Sequence, residues 1–135
     1  MKYEPDYRKR SWVDFTKVRD IFIPYLTKSV KKIYTIEKLI PRSSEGESSS
    51  FVNGNSLGIF QGLYAFINPD IYNEPLPIVW KREMGLTAVK EKSIALAEYI
   101  YDINLRDYLK KGKTDDLAEA LLISFYGLKL YFDSN

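Results

Sequence analysis

Apolar residues recur at three- and four-residue spacing near the start of the chain: Trp12, Val13, Phe15, Val18, Ile21, Phe22 and Leu26. That period predicts an amphipathic helix over 12–26, with Ser11 as its N-cap and Pro24 disturbing its last turn. The β-branched and aromatic run 33–36 (Ile-Tyr-Thr-Ile) predicts a buried strand, with Glu37 and Lys38 at its C-terminal end. Serine, glycine and proline crowd residues 41–50, so 41–52 is expected as a mobile loop, too short to link domains. A helix is expected over 53–67. Pro69 and the turn 73–75 then lead into 76–80, read as a second strand. A helical turn over 81–86, a helix over 87–101, a basic segment 106–113 and a final helix over 115–132 complete the pattern. The order helix, strand, helix, strand, helix, helix predicts an α/β fold. Residues 1–10 read as an irregular arm of one domain spanning 1–135, and no internal repeat is visible.

The helix over 53–67 carries Gly54, Gly58 and Gly62, four residues apart and so aligned along one face. Each glycine costs about 1 kcal/mol of helix propensity against alanine, which implies that another element packs there. Two partners fit: the strands of the same domain, or a second copy of the chain. Leu57, Ile59, Phe60, Leu63, Tyr64 and Phe66 beside the stripe are more apolar residues than one helix face buries.

Composition narrows the chemistry. The chain has neither cysteine nor histidine, which removes disulfides, thiolate nucleophiles, Ser-His-Asp arrangements and His-based zinc sites. Catalysis, if present, falls to carboxylates, which suit hard cations such as magnesium or manganese. No apolar run reaches the roughly 18 residues of a membrane helix, and no apolar stretch follows the basic N-terminus as in a signal peptide. Net charge is only +2, yet residues 1–36 hold nine Lys or Arg against four Asp or Glu. A basic face of that kind suits a phosphate backbone, although solvated helix surfaces account for most of these lysines singly.

Three carboxylates stand out: Glu37 at a strand end, and Asp116 and Glu119 in the opening turns of the last helix, with Asp115 one step around. Residues at i and i+3 share a helix face, so Asp116 and Glu119 point the same way. A glutamate facing that pair would complete a cluster for a divalent metal, and two such ions support phosphodiester cleavage. Acids in a first helical turn also complement the dipole, and Thr114 or Asp115 would serve as an N-cap. On spacing alone capping is the simpler account. Glu37 beside Lys38 equally suits a solvated edge.

Three blocks then change the balance. TIEKLIPRSSEGESSSFVNGNSLGIFQGLYAF, PIVWKREMGLTAVKEKSIALAEYIY and KTDDLAEALLISFYGLKL follow one another over about 95 residues. In order and spacing they resemble the RuvC-like Holliday junction resolvases, closest to the phage and chloroplast branch. The shared features are Ile36-Glu37-Lys38, a Gly-rich helix, Pro77 to Lys81, the lysines Lys90 to Lys92, and Asp115 to Leu122 before Tyr126-Gly127. The resemblance implies an RNase H-like α/β core and a magnesium- or manganese-dependent endonuclease that cuts branched DNA. It makes Glu37, Asp116 and Glu119 the catalytic acids, and Glu37, Asp115, Asp116 and Glu119 the metal-ligand candidates. Phe51, Lys81, Arg82, Lys90, Lys92 and Lys113 become DNA-contact candidates, and Gly54, Gly58 and Gly62 a homodimer interface. Trp80 lies near the same DNA path, but core packing is its simpler role.

The resemblance lacks one part. The family opens on a strand of the type Gly-Ile-Asp-Pro-Gly, whose aspartate bridges both metals, and nothing in residues 1–30 matches it. The expectation is therefore a core truncated at its N-terminal β-hairpin. Such a chain is a fragment, a subunit whose partner chain supplies the missing strands, or a relative that has lost catalysis. The last possibility leaves a nucleic-acid-binding or assembly subunit as the alternative function.

Overall fold

A computed structural model describes residues 13–26, 29–40, 46–108 and 114–134. It contains α1 (Phe15–Leu26), β1 (Ile33–Thr35), α2 (Glu47–Ile67), β2 (Ile71–Asn73), α3 (Pro77–Glu83), α4 (Lys90–Tyr101), α5 (Leu105–Tyr108) and α6 (Thr114–Asp133). The chain divides into two compact units, one of residues 1–32 and 39–70, the other of 33–38 and 71–135.

The first unit is built on α1 and α2. Asp14 caps α1: its Oδ1 accepts the backbone N–H groups of Thr16 and Lys17 at 3.1 and 3.2 Å. Ser11, the expected cap, lies outside the described residues, as do the arm 1–10 and Trp12. The helix runs through Pro24 to Leu26, so the proline expected to disturb its last turn does not end it. The helix α2 begins at Glu47, so the end of the expected loop is helical, while 41–45 lie outside the described residues. It ends on Asn68, whose left-handed backbone (φ 48°) lets its N–H reach Tyr64 O at 2.9 Å, and Pro69 prevents continuation. Beyond it, Asp70 and Lys32 are joined twice: Lys32 N–H donates to Asp70 Oδ2 at 2.7 Å, and Asp70 N–H to Lys32 O at 2.9 Å.

The second unit centres on α6. Its buried positions Ala118, Leu122, Ile123 and Tyr126 form one stripe with Trp80, Leu86, Ala97 and Leu105. Small residues make this packing close: Ser93 and Ala97 on α4 and Ala118 on α6 are all buried. Full burial of a leucine such as Leu122 stabilises the unit by about 1.5–3 kcal/mol. Against another part of α6 lies β1, and Gly127 is what allows it: a Cβ there would stand 1.9 Å from Thr35 Oγ1. The strands β1 and β2 run parallel, with Ile33, Tyr34 and Thr35 opposite Ile71, Tyr72 and Asn73. The Tyr34 and Tyr72 rings stack with centroids 6.0 Å apart.

The architecture overturns the expected fold class. Among the described residues the structure is mostly helical, 68% helix and 6% strand with one two-stranded parallel sheet, and is not an RNase H-like α/β core with a multi-stranded sheet. The expected strand over 76–80 is the helix α3. Pro77 occupies its first turn, where a missing N–H costs nothing and the fixed φ favours helix. Trp80 N–H donates to Leu76 O at 3.1 Å, closing the first turn. The partner of β1 lies earlier, at β2, in a three-residue run too short for its pattern to be distinctive. After α3, Gly85 (φ 71°) ends the helix in a Schellman turn: Leu86 N–H reaches Lys81 O at 2.8 Å and Gly85 N–H reaches Arg82 O at 3.0 Å.

Candidate functional site

Glu37 leaves the end of β1 in the second unit, where Ile36 N–H donates to Asn73 O at 3.0 Å and Lys38 N–H to Pro75 O at 2.9 Å. These bonds hold the backbone on both sides of the carboxylate. Its Oε2 accepts the indole N–H of Trp80 at 2.8 Å. Trp80 has no exposed surface, so its single polar atom finds its partner inside the fold. A hydrogen bond to an ionised carboxylate contributes about 1.5–3 kcal/mol.

The next residue, Lys81, takes the other glutamate. Its ammonium lies 2.7 Å from Glu119 Oε1 and 5.5 Å from the centre of the Trp80 ring. The side chains are 29% and 37% exposed, so the pair is worth no more than about 1 kcal/mol and weakens with salt. Adjacent residues of α3 thus hold two carboxylates that come from positions 37 and 119. Both were expected from sequence. The pairing of each with Trp80 or Lys81 was not, because a tryptophan reads as core until its indole direction is known.

A second ion pair joins the starts of α4 and α6, with Lys90 Nζ 2.7 Å from Asp115 Oδ2. The hydrogen bond from Lys90 holds the Asp115 carboxyl below its ordinary value, and the same bond raises the Lys90 ammonium, with Asp116 and Glu119 adding to the pull. Asp116 is exposed, as are Arg82 and Lys92. Nearby, Tyr126 donates to Glu83 Oε2 at 2.6 Å, and burial followed by this bond pushes its phenol up to about 12. Lys113 lies outside the described residues.

The remaining candidates belong to the first unit. Phe51 is 58% exposed. Cβ atoms added at Gly54, Gly58 or Gly62 would meet nothing within 4 Å among the described residues. Gly58 and Gly62 instead floor an open apolar groove of about 310 Å³, walled by Phe15, Ile59, Leu63 and Phe66 and flanked by Arg19.

Among the described residues no three carboxylates converge as a metal-binding group. The donor chemistry nevertheless suits a hard cation, since every candidate is an oxygen ligand. Magnesium is commonly held by one or two protein carboxylates, with water and substrate phosphate completing its shell. Glu37 and Glu119 are each engaged by a different residue of α3, Glu37 by the Trp80 indole and Glu119 by the Lys81 ammonium. None of the helices among the described residues is long and apolar enough to cross a membrane. Neither a protein-family model nor a curated protein sequence matches the chain.

Proposed function

We propose that this chain is the carboxylate-bearing part of a magnesium- or manganese-dependent DNA endonuclease selective for branched DNA, of the Holliday junction resolvase type. The observation that carries the reading is the joint holding of Glu37 and Glu119 by the adjacent residues Trp80 and Lys81. Acids far apart in sequence are contacted by neighbouring residues of one helix, and they are the acids that the motif resemblance assigns to catalysis. Glu37 and Glu119 would hold the cation, with Asp116 and Asp115 beside them on α6. When bound, the ion would activate water and stabilise the leaving oxygen of a phosphodiester. The chain's own contribution is to fix the two carboxylates. Arg82, Lys90 and Lys92 offer positive charge for the DNA backbone near the same acids, and Lys113 and Phe51 are further contact candidates. A homodimer through the glycine face of α2, where an added Cβ meets no atom of the described residues within 4 Å, suits the near two-fold symmetry of a four-way junction. A partner chain that contributes further acids belongs to the same proposal.

One observation favours a second reading. Lys81 and Lys90 already neutralise Glu119 and Asp115, as expected of a nucleic-acid-binding or assembly subunit without catalysis. Incubating a synthetic four-way junction with the chain and magnesium separates the two. Paired nicks support the endonuclease, whereas binding without cleavage supports the subunit.

A further inference from the structure

Trp80 and Lys81 are adjacent, but their side chains serve different acids. The indole of Trp80 is wholly buried and directs its only hydrogen-bond donor at Glu37 Oε2, 2.8 Å away. The Lys81 ammonium contacts Glu119 Oε1 at 2.7 Å and lies over the Trp80 ring at 5.5 Å. The helix that carries them is itself fixed. It is anchored by the buried Trp80, terminated by the Gly85 turn, and tied to α6 by the Tyr126 hydroxyl donating to Glu83. A glutamate has three rotatable side-chain bonds, and a flexible carboxylate loses much of its value to a site that needs fixed geometry.

We infer that Trp80 and Lys81 are the positioning residues of the site, setting the orientation of Glu37 and Glu119 respectively. The inference rests on the endonuclease reading of those acids. Neither residue touches the reacting phosphodiester in this role; each acts through the carboxylate it holds. The role also separates Lys81 from a simple DNA contact, because positioning affects the rate on bound junction, and a backbone contact affects the affinity for junction.

The test uses the full chain labelled with ¹⁵N-tryptophan, which contains two tryptophans, so Trp80→Phe assigns the Trp80 indole resonance by its loss. Single-turnover cleavage of a four-way junction is measured with the protein in saturating excess over a magnesium series. Trp80→Phe keeps an aromatic ring, of smaller volume, and removes the donor. It is expected to cut the rate about 10- to 100-fold, as for other residues that orient ligands, and to raise the magnesium needed, with junction affinity unchanged. Lys81→Met is expected to fall similarly at unchanged junction affinity, and Lys81→Arg to recover most of the rate. Glu37→Gln should move the Trp80 indole N–H signal. Lys81 is partly exposed, so its variants carry the test even where Trp80→Phe does not fold. Folded variants that cleave at the wild-type rate with wild-type magnesium dependence overturn the positioning role and leave the endonuclease reading standing. A Lys81→Met variant that loses junction affinity alone overturns the role for Lys81. A wild-type chain that does not cleave overturns the endonuclease reading and the positioning role with it.

Discussion

A methyl group added at Gly127 probes the seat of β1 on α6, and with it the placement of Glu37 two residues beyond Thr35. The new Cβ would lie 1.9 Å from Thr35 Oγ1, 3.0 Å from Thr35 Cβ and 3.4 Å from its Cγ2. Rotating Thr35 moves the hydroxyl and gives up its long 3.4 Å contact with Asn73 Nδ2. It does not move Cβ, which the register of β1 on β2 fixes opposite Asn73. Helix or strand must therefore shift by a few tenths of an ångström. Two effects oppose each other. Alanine is favoured over glycine inside a helix by about 1 kcal/mol, and overpacking a fixed contact costs about 1–3 kcal/mol. A contact with both a hydroxyl and a strand Cβ belongs at the upper end, so Gly127→Ala is expected to destabilise by about 1–2 kcal/mol. Urea unfolding followed by circular dichroism and tryptophan fluorescence measures this. Adding Thr35→Ala removes Oγ1, and the double mutant should recover part of the loss, with a coupling of about 0.5 kcal/mol or more. A Gly127→Ala variant as stable as wild type, or more so, would refute the close approach, since propensity alone predicts a gain.

Three further outcomes are expected. Burial pushes Tyr34, with Tyr72 beside it, and Tyr126, with Glu83 bonded to it, up to about 12. A raised folded value means stability present below the ordinary tyrosine value near 10 and lost as pH rises toward 12. Absorbance at 295 nm should show late phenols in the folded chain, and one fewer in Tyr126→Phe; a single step near 10 for all tyrosines contradicts this. For the Lys90–Asp115 pair, the lowered Asp115 contributes stability that is lost as pH falls through its depressed value. The raised Lys90 contributes stability that is lost only as pH climbs through its elevated one. Lys90→Met should return the Asp115 carboxyl titration, followed by ¹³C NMR, toward the ordinary range, and no movement would remove the pair. Gly58→Leu should convert a dimer to monomers by light scattering, and a wild type already monomeric at micromolar concentration contradicts the dimer.

Helices with sustained periodicity were legible in the sequence. The final helix, the helix over α4 and the Pro24-containing first helix follow from spacing alone, and β1 from its β-branched run. Pro77 to Trp80 was not legible by the same rules. Ile78, Val79 and Trp80 have strand-like side chains, and a proline ahead of them suits either a strand entry or a helix N1 position. Burial of Trp80 decided for helix. The three residues of β2 offer no period to read, and their pairing depends on the partner strand. At the site, the acids were legible because position within a helix follows from counting. Their partners were not. That Trp80 turns its indole toward Glu37, or that Lys81 reaches Glu119 instead of solvent, depends on tertiary placement that local spacing does not encode. The glycine stripe was legible as a face, but the sequence left its partner open between strand and second copy, and none of the described residues stands within 4 Å of a Cβ added there.

The most direct measurement of the central claim is cleavage of a labelled synthetic four-way junction by the wild-type chain and by Glu119→Gln, with magnesium and with EDTA. Glu119 is held on the fold by a partly exposed ion pair, so its isosteric replacement leaves the folded unit intact. Symmetrically placed nicks are expected from the wild type in magnesium, none in EDTA, and none from Glu119→Gln despite undiminished junction binding. A wild type that binds the junction and leaves it whole would contradict the claim, and so would nicking that persists in Glu119→Gln.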